Sequence, residues 1–227
     1  MWVAIHPMFN RTLMQKTFRE PVSSWIHLIS GVLAVFGLVL LVILGWGNLL
    51  KETTLVIYGL TLILMFTSST IYHSVNTGDG VLLGLRKLDH SAIYLLIAGS
   101  YTPICVFFFT GFWKWPFLGI IWLFGLTGVL VKLFVINAPR WVTAGIYLVM
   151  GWLSIFAISE MIRTMPVGAL IWLLAGGICF TIGAAIYISK KMDFVPNVFG
   201  FHEVWHIFVT LGCLCHFILI SVYIAVG

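Results

Sequence analysis

The sequence predicts an all-α membrane protein, a bundle of seven transmembrane helices. Three observations lead there. Of 227 residues, 61% are hydrophobic and only 8% are charged, whereas a soluble domain carries roughly 25% charged residues. The mean hydropathy is +1.11, more apolar surface than a water-soluble globule can hide beneath its polar coat. The apolar residues also fall into seven runs, each near the roughly 20 residues that cross a hydrocarbon core.

Residues 1–24 have mixed polarity, with Arg11, Lys16, Arg19 and Glu20, and lack the compact apolar core of a cleavable signal peptide. Trp2, Ile5, Met8, Phe9, Leu13, Met14 and Phe18 can form one face of a helix lying on the membrane surface. Residues 25–227 hold the spans, placed at Trp25–Gly47, Thr53–His73, Asp89–Thr110, Trp115–Ile136, Trp141–Ser159, Pro166–Ser189 and His202–Val226. Pro116 and Pro166 fall in first turns, where a missing N–H costs little. Pro103 should kink the third span, with Ser100, Tyr101 and Thr102 at hand to satisfy the freed carbonyl. Small residues in the sixth span (Ala175, Gly176, Gly177, Gly183, Ala184, Ala185) invite a close neighbour.

Lysine and arginine set the orientation. Arg11, Lys16, Arg19, Arg86, Lys87, Lys132, Arg140, Lys190 and Lys191 fall on one side, and Lys51, Lys114 and Arg163 on the other. This bias puts the N-terminus in the cytoplasm and the C-terminus outside, and argues against nucleic acid as the reason for the formal charge of +5. The four cysteines, Cys105, Cys179, Cys213 and Cys215, all lie inside apolar runs and read as small packing residues.

On that topology His27, His73, His90, His202 and His206, five of the seven histidines, share one layer near the cytoplasmic face. His202 and His206 are four apart, so both rings share a helix face with Cβ atoms roughly 5–6 Å apart. His73, Ser69 and Asp89 reach the same depth from the second and third spans. Ionisable groups inside a membrane are costly and usually functional. Neutral imidazoles and oxygen donors without nearby thiolates suit Zn2+, and three histidines leave the open position of a catalytic site. Asp89 is the natural proton acceptor, and the Ser69 hydroxyl could hold a water or a substrate carbonyl. His202-Glu203-x-x-His206 also matches the zinc-protease pattern with Glu203 as base, although a glutamate there equally suits a helix N-terminus.

Glu20-Pro-Val-Ser-Ser-Trp-Ile-His27, Ser69-x-x-x-His73, Asp89-His90-Ser-Ala-Ile-Tyr-Leu-Leu-Ile-Ala-Gly-Ser-Tyr-Thr-Pro103 and Phe201-His-Glu-Val-Trp-His206 occur in that order. With these motifs the chain resembles the hemolysin III family, the bacterial branch of the progestin and adipoQ receptor (PAQR) proteins. The resemblance implies a seven-helix bundle with an inside N-terminus and a zinc near the cytoplasmic face. It also implies His73, His202 and His206 as ligands, with Asp89 and Ser69 close to the water such a zinc carries. Related adiponectin receptors resemble ceramide hydrolases, and bacterial members are linked to membrane lipid and energetic homeostasis. The expected function is a zinc-dependent hydrolase in the cell membrane acting on a lipid amide or ester. The competing expectations are a non-enzymatic sensor of membrane state with a structural zinc, and a cytolysin.

Overall fold

The computed structural model describes residues 18–195 and 198–227; the expected surface helix lies, Phe18 apart, outside them. Seven helices are long and apolar enough to cross a membrane: α1 Pro21–Gly45, α2 Leu49–Ser74, α3 Asp79–Phe108, α4 Gly111–Phe134, α5 Arg140–Thr164, α6 Val167–Ser189 and α7 Phe201–Ala225. Successive helices run antiparallel across short links. The starts of α1, α3, α5 and α7 therefore share one end of the bundle with the ends of α2, α4 and α6.

Neighbours pair in order from α1 to α4, α6 pairs with α7, and α7 closes the bundle against α1. α3 is the most buried helix. Its face from Ala92 to Val106 supplies much of the core with Leu55, Tyr58, Leu62 and Met65 of α2. Leu33, Phe36 and Ile43 of α1 and Leu123, Phe124 and Leu130 of α4 stay exposed. Apolar side chains on the outer surface suit hydrocarbon, where only a fully hydrogen-bonded backbone is tolerated.

Three sequence expectations need correction. α3 begins at Asp79, not Asp89, because Gly80–Leu88 continues the helix although Arg86 and Lys87 end the apolar run. Asp89 is thus well inside a helix. Pro116 lies within α4, beyond its first turn, and Pro166 caps α6 from outside. Around Pro103, Ser100 bonds the Leu96 carbonyl, Thr102 that of Ala98 and Tyr101 that of Gly151. None of the three reaches the Gly99 carbonyl that the proline leaves free.

α5 is not a continuous α-helix. Trp152–Ala157 winds as a 3-10 segment, a tighter path that redirects the backbone. The Tyr101 hydroxyl holds this break in place, accepting from the Ser154 N–H at 2.8 Å and donating to the Gly151 carbonyl at 2.7 Å. α6 and α7 pack closely at Gly183, where an added Cβ would lie 2.8 Å from the Phe208 Cβ.

Tyr101→Phe keeps the ring and strands one buried donor and one buried acceptor, at a cost of about 1–3 kcal/mol. Thermal unfolding of the purified protein should show a lowered midpoint with unchanged helix content. An unaltered midpoint would show that the hydroxyl does not hold α5.

Candidate metal centre

The end of α2 and the first two turns of α7 bring His73, His202 and His206 together. One nitrogen from each lies within 4.8 Å of the other two, a group that could hold a metal ion. The ring centroids form a nearly equilateral triangle, with sides of 5.0 Å (His73–His202), 4.7 Å (His73–His206) and 4.7 Å (His202–His206). His73 and His206 are buried, and His202 is half-buried.

The outward nitrogens say which atoms face inward. His73 Nδ1 lies 2.7 Å from Glu20 Oε2. An ionised carboxylate can only accept, so the proton sits on Nδ1 and Nε2 presents a lone pair to the triangle. His206 Nδ1 is within 2.9 and 3.1 Å of the two His27 nitrogens, while its Nε2 is 3.0 Å from His202 Nε2. Two nitrogens bound to one zinc at roughly 2.0–2.1 Å and a tetrahedral angle lie about 3.3 Å apart. The His202–His206 pair is near that spacing, and the three residues together could hold a metal ion. Converging lone pairs also need a shared cation or proton between them.

Glu20 and His27 thus belong to the centre. Glu20, the residue just before α1, lies beside the end of α2, where its backbone N–H also donates to the His73 carbonyl at 2.9 Å. Burial pushes the Glu20 carboxyl up. The hydrogen bond from His73, the electrostatic influence of the His73 and His202 rings and the Arg19 charge outweigh it and hold the group below the usual carboxylate range. His27 is buried two turns further along α1, edge-on to Phe66. The sequence held a clue to both in Glu20-x-x-Ser-x-x-x-His27, whose ends are about two turns apart on one helix face.

Asp89 is buried, with Oδ2 3.2 Å from His90 Nδ1. It lines a polar vestibule of about 500 Å³ together with Glu20, His73 and His202. Ser69 is buried one turn before His73 and does not line that vestibule. Its neighbours Ser68 and Thr70 return their hydroxyls to the Met65 and Phe66 carbonyls; among the described residues Ser69 makes no such bond. Glu203 turns away from the imidazoles. Its Oε1 accepts from Ser23 at 3.0 Å and its Oε2 from the Gly200 N–H at 2.8 Å. The glutamate of the protease-like pattern therefore fixes the start of α7 against α1. His216 packs between α6 and α7, and the four cysteines are free.

Replacing His73, His202 or His206 with Ala should remove bound metal from the purified protein. Glu20→Gln and His27→Phe keep the ligands but lose their orienting partners, and should weaken metal affinity by about 10–100-fold. Chelator competition measures both. Wild-type affinity in Glu20→Gln and His27→Phe would show that neither residue supports the ligands.

The chain has relatives among known proteins. Residues 15–217 match the family model described as "Haemolysin-III related". "Hemolysin-3" of Bacillus cereus is 33% identical over 216 residues, covering 94% of this chain and 95% of the relative. "Hemolysin-3 homolog" of Bacillus subtilis (strain 168) is 33% identical over 210 residues, covering 91% and 95%. The human "Monocyte to macrophage differentiation factor" is 26% identical over 178 residues, covering 77% and 71%. This multi-pass cell-membrane protein belongs to the haemolysin-III related family, within the PAQR superfamily.

Proposed function

We propose that this protein is a zinc-dependent hydrolase acting on an amide or ester bond of a membrane lipid. The observation that carries the reading is an open set of three imidazoles, two of them (His73 and His202) on the wall of a polar vestibule, next to an apolar cavity of about 290 Å³. The excess of Lys and Arg at this end of the bundle supports reading it as the cytoplasmic face.

His73, His202 and His206 would hold the metal, with Glu20 and His27 fixing two of the rings. Zinc, when bound, supplies Lewis acidity and activates water near neutral pH. The Asp89 carboxylate, open to the vestibule, takes a proton from the attacking water and returns it to the leaving group. The Ser69 hydroxyl lines neither cavity, so of its two expected roles the one left to it is to hold the water beside His73, not the substrate carbonyl. The apolar cavity runs between α3, α5, α6 and α7, lined by residues such as Ile97, Leu148, Ile155, Leu173 and Val209. It would take an acyl chain. The 3-10 break in α5 contributes Trp152, Ser154 and Ile155 to its wall.

A second reading has a specific observation behind it. Through His73, His206, His27 and Glu20 the cluster joins α1, α2 and α7, which suits a structural clamp in a sensor of membrane state.

Asp89→Asn separates the two. If Asp89 shuttles the proton, the variant keeps its zinc and loses hydrolysis by about 10²–10⁴-fold. If the centre is a clamp, the variant keeps its cellular phenotype. The measurement is zinc content beside a lipidomic screen of amides and esters with purified protein. Zinc-loaded wild type that leaves every lipid intact would sink the enzymatic reading.

A further inference from the structure

We propose that the vestibule beside the histidine cluster contains an oxyanion subsite for the phosphate of a lipid headgroup, built from Thr143, Lys132, Arg86 and Arg140. The inference rests on the hydrolase reading and deepens it, by making a phosphate-bearing lipid the substrate class.

Lys132, in the last turn of α4, is only 3% exposed. Its ammonium donates to Thr143 Oγ1 at 2.9 Å, and among the described residues no carboxylate lies within ion-pair distance. An ammonium has three donors, and a buried charge left unpaired is strongly unfavourable. Ordinary interfacial lysines snorkel to water, as the exposed Lys190 and Lys191 do. Lys132 stays inside the bundle.

Thr143 is 6% exposed and lines the vestibule. Thr70, Thr102, Thr164 and Thr181 each donate to the carbonyl four residues back. Among the described residues the Thr143 hydroxyl has no acceptor, although its oxygen takes the Lys132 proton. It is a buried, unspent donor polarised by a cation behind it, on the wall of a cavity.

Arg86 of α3 and Arg140 at the start of α5 line the same vestibule, and neither is ion-paired among the described residues. Arg140 is held over the Tyr187 and Phe201 rings, at 5.3 and 5.2 Å from their centroids. Four carboxylates also line the cavity. Glu20 is engaged by His73 and Arg19, Asp89 contacts His90, and Glu203 is taken by Ser23 and Gly200. Asp193, in the link between α6 and α7, is exposed and makes no ion pair among the described residues. Glu20 and Glu203 belong to the α1 and α7 side, whereas Thr143, Lys132, Arg86 and Arg140 belong to α3, α4 and α5, where the one carboxylate on the vestibule wall, Asp89, lies beside His90. Guanidinium and ammonium groups around one unspent hydroxyl are the chemistry that recognises phosphate. Free inorganic phosphate would satisfy the same groups, so the test separates the two sources.

Native mass spectrometry of the full-length, zinc-loaded protein in detergent reads the outcome. The probes are phosphatidylglycerol and diacylglycerol with identical acyl chains, each with and without inorganic phosphate. Wild type should retain phosphatidylglycerol about tenfold better than diacylglycerol, the scale of one or two charge-assisted hydrogen bonds. Thr143→Val, close in shape, and Arg86→Gln should each erode that preference with zinc content unchanged; Thr143→Val also strands the Lys132 ammonium and lowers the thermal midpoint, whereas Arg86→Gln leaves the midpoint as in wild type. The doubly substituted Lys190→Gln/Lys191→Gln should keep it. Wild-type preference in both Thr143→Val and Arg86→Gln overturns the subsite. Equal retention of the two lipids, with inorganic phosphate bound instead, overturns the lipid source. If the preference is present and sensitive to both substitutions while no lipid is hydrolysed, the hydrolase reading fails and the subsite stands.

Discussion

Imidazoles removed from water must be given partners, and one end of this bundle is organised around that requirement. Five side chains form a connected set: Glu20 to His73, His73 beside His202, His202 to His206, and His206 to His27. The polar groups of a buried network rigidify it only when all are satisfied. Here the outward nitrogens of His73 and His206 already have partners, while the inward ones face each other. A cation at their meeting point would complete the network. The fold supplies the frame, since the beginnings of α1 and α7 and the end of α2 can meet only where alternating spans return to the same face.

The rest of the interior follows from keeping hydrocarbon-facing surface apolar while leaving room inside. α3 is buried along most of its length and carries Tyr101, which reaches across to α5 and stabilises a stretch that departs from α-helical winding. That stretch lines the apolar cavity through Trp152, Ser154 and Ile155. Gly183, at the tight crossing of α6 and α7, lets Trp205 and Phe208 come close. Packing is close where helices must hold the histidines and open where α5 lies.

Much of this was legible in the sequence. Hydropathy alone located the seven spans, because crossing a bilayer requires long apolar runs. The histidine layer followed from the bias in Lys and Arg combined with the four-residue spacing of His202 and His206. Helix ends were less legible, because an apolar run stops at its first charges while the helix continues. α3 therefore begins ten residues before Asp89, so Asp89 presents its carboxylate from a helix interior. The break in α5 left no proline to announce it, and it depends on Tyr101, about fifty residues earlier in the chain. Glu20 and His27 were visible as a motif, but their partners lie on α2 and α7. Glu203 shows the opposite problem. Its position in His202-Glu203-x-x-His206 suggests a base, yet Ser23 and Gly200 were already there to take both of its oxygens.

The two cavities differ in character and meet at a thin layer. Tyr147 lines the apolar cavity, and its hydroxyl donates to the His90 carbonyl at 2.8 Å. Trp205 lines the same cavity and stacks at 5.4 Å on Tyr187, which lines the vestibule. Aromatic residues with one polar end suit a boundary between a dry and a wet compartment. Trp205 also stands between His202 and His206 in α7, so the boundary and the histidines are set by the same helical turn. A molecule using both compartments needs an apolar tail and a polar head with its reactive bond near their junction. That requirement, more than the identity of any ion, is why a lipid is the substrate proposed for this site.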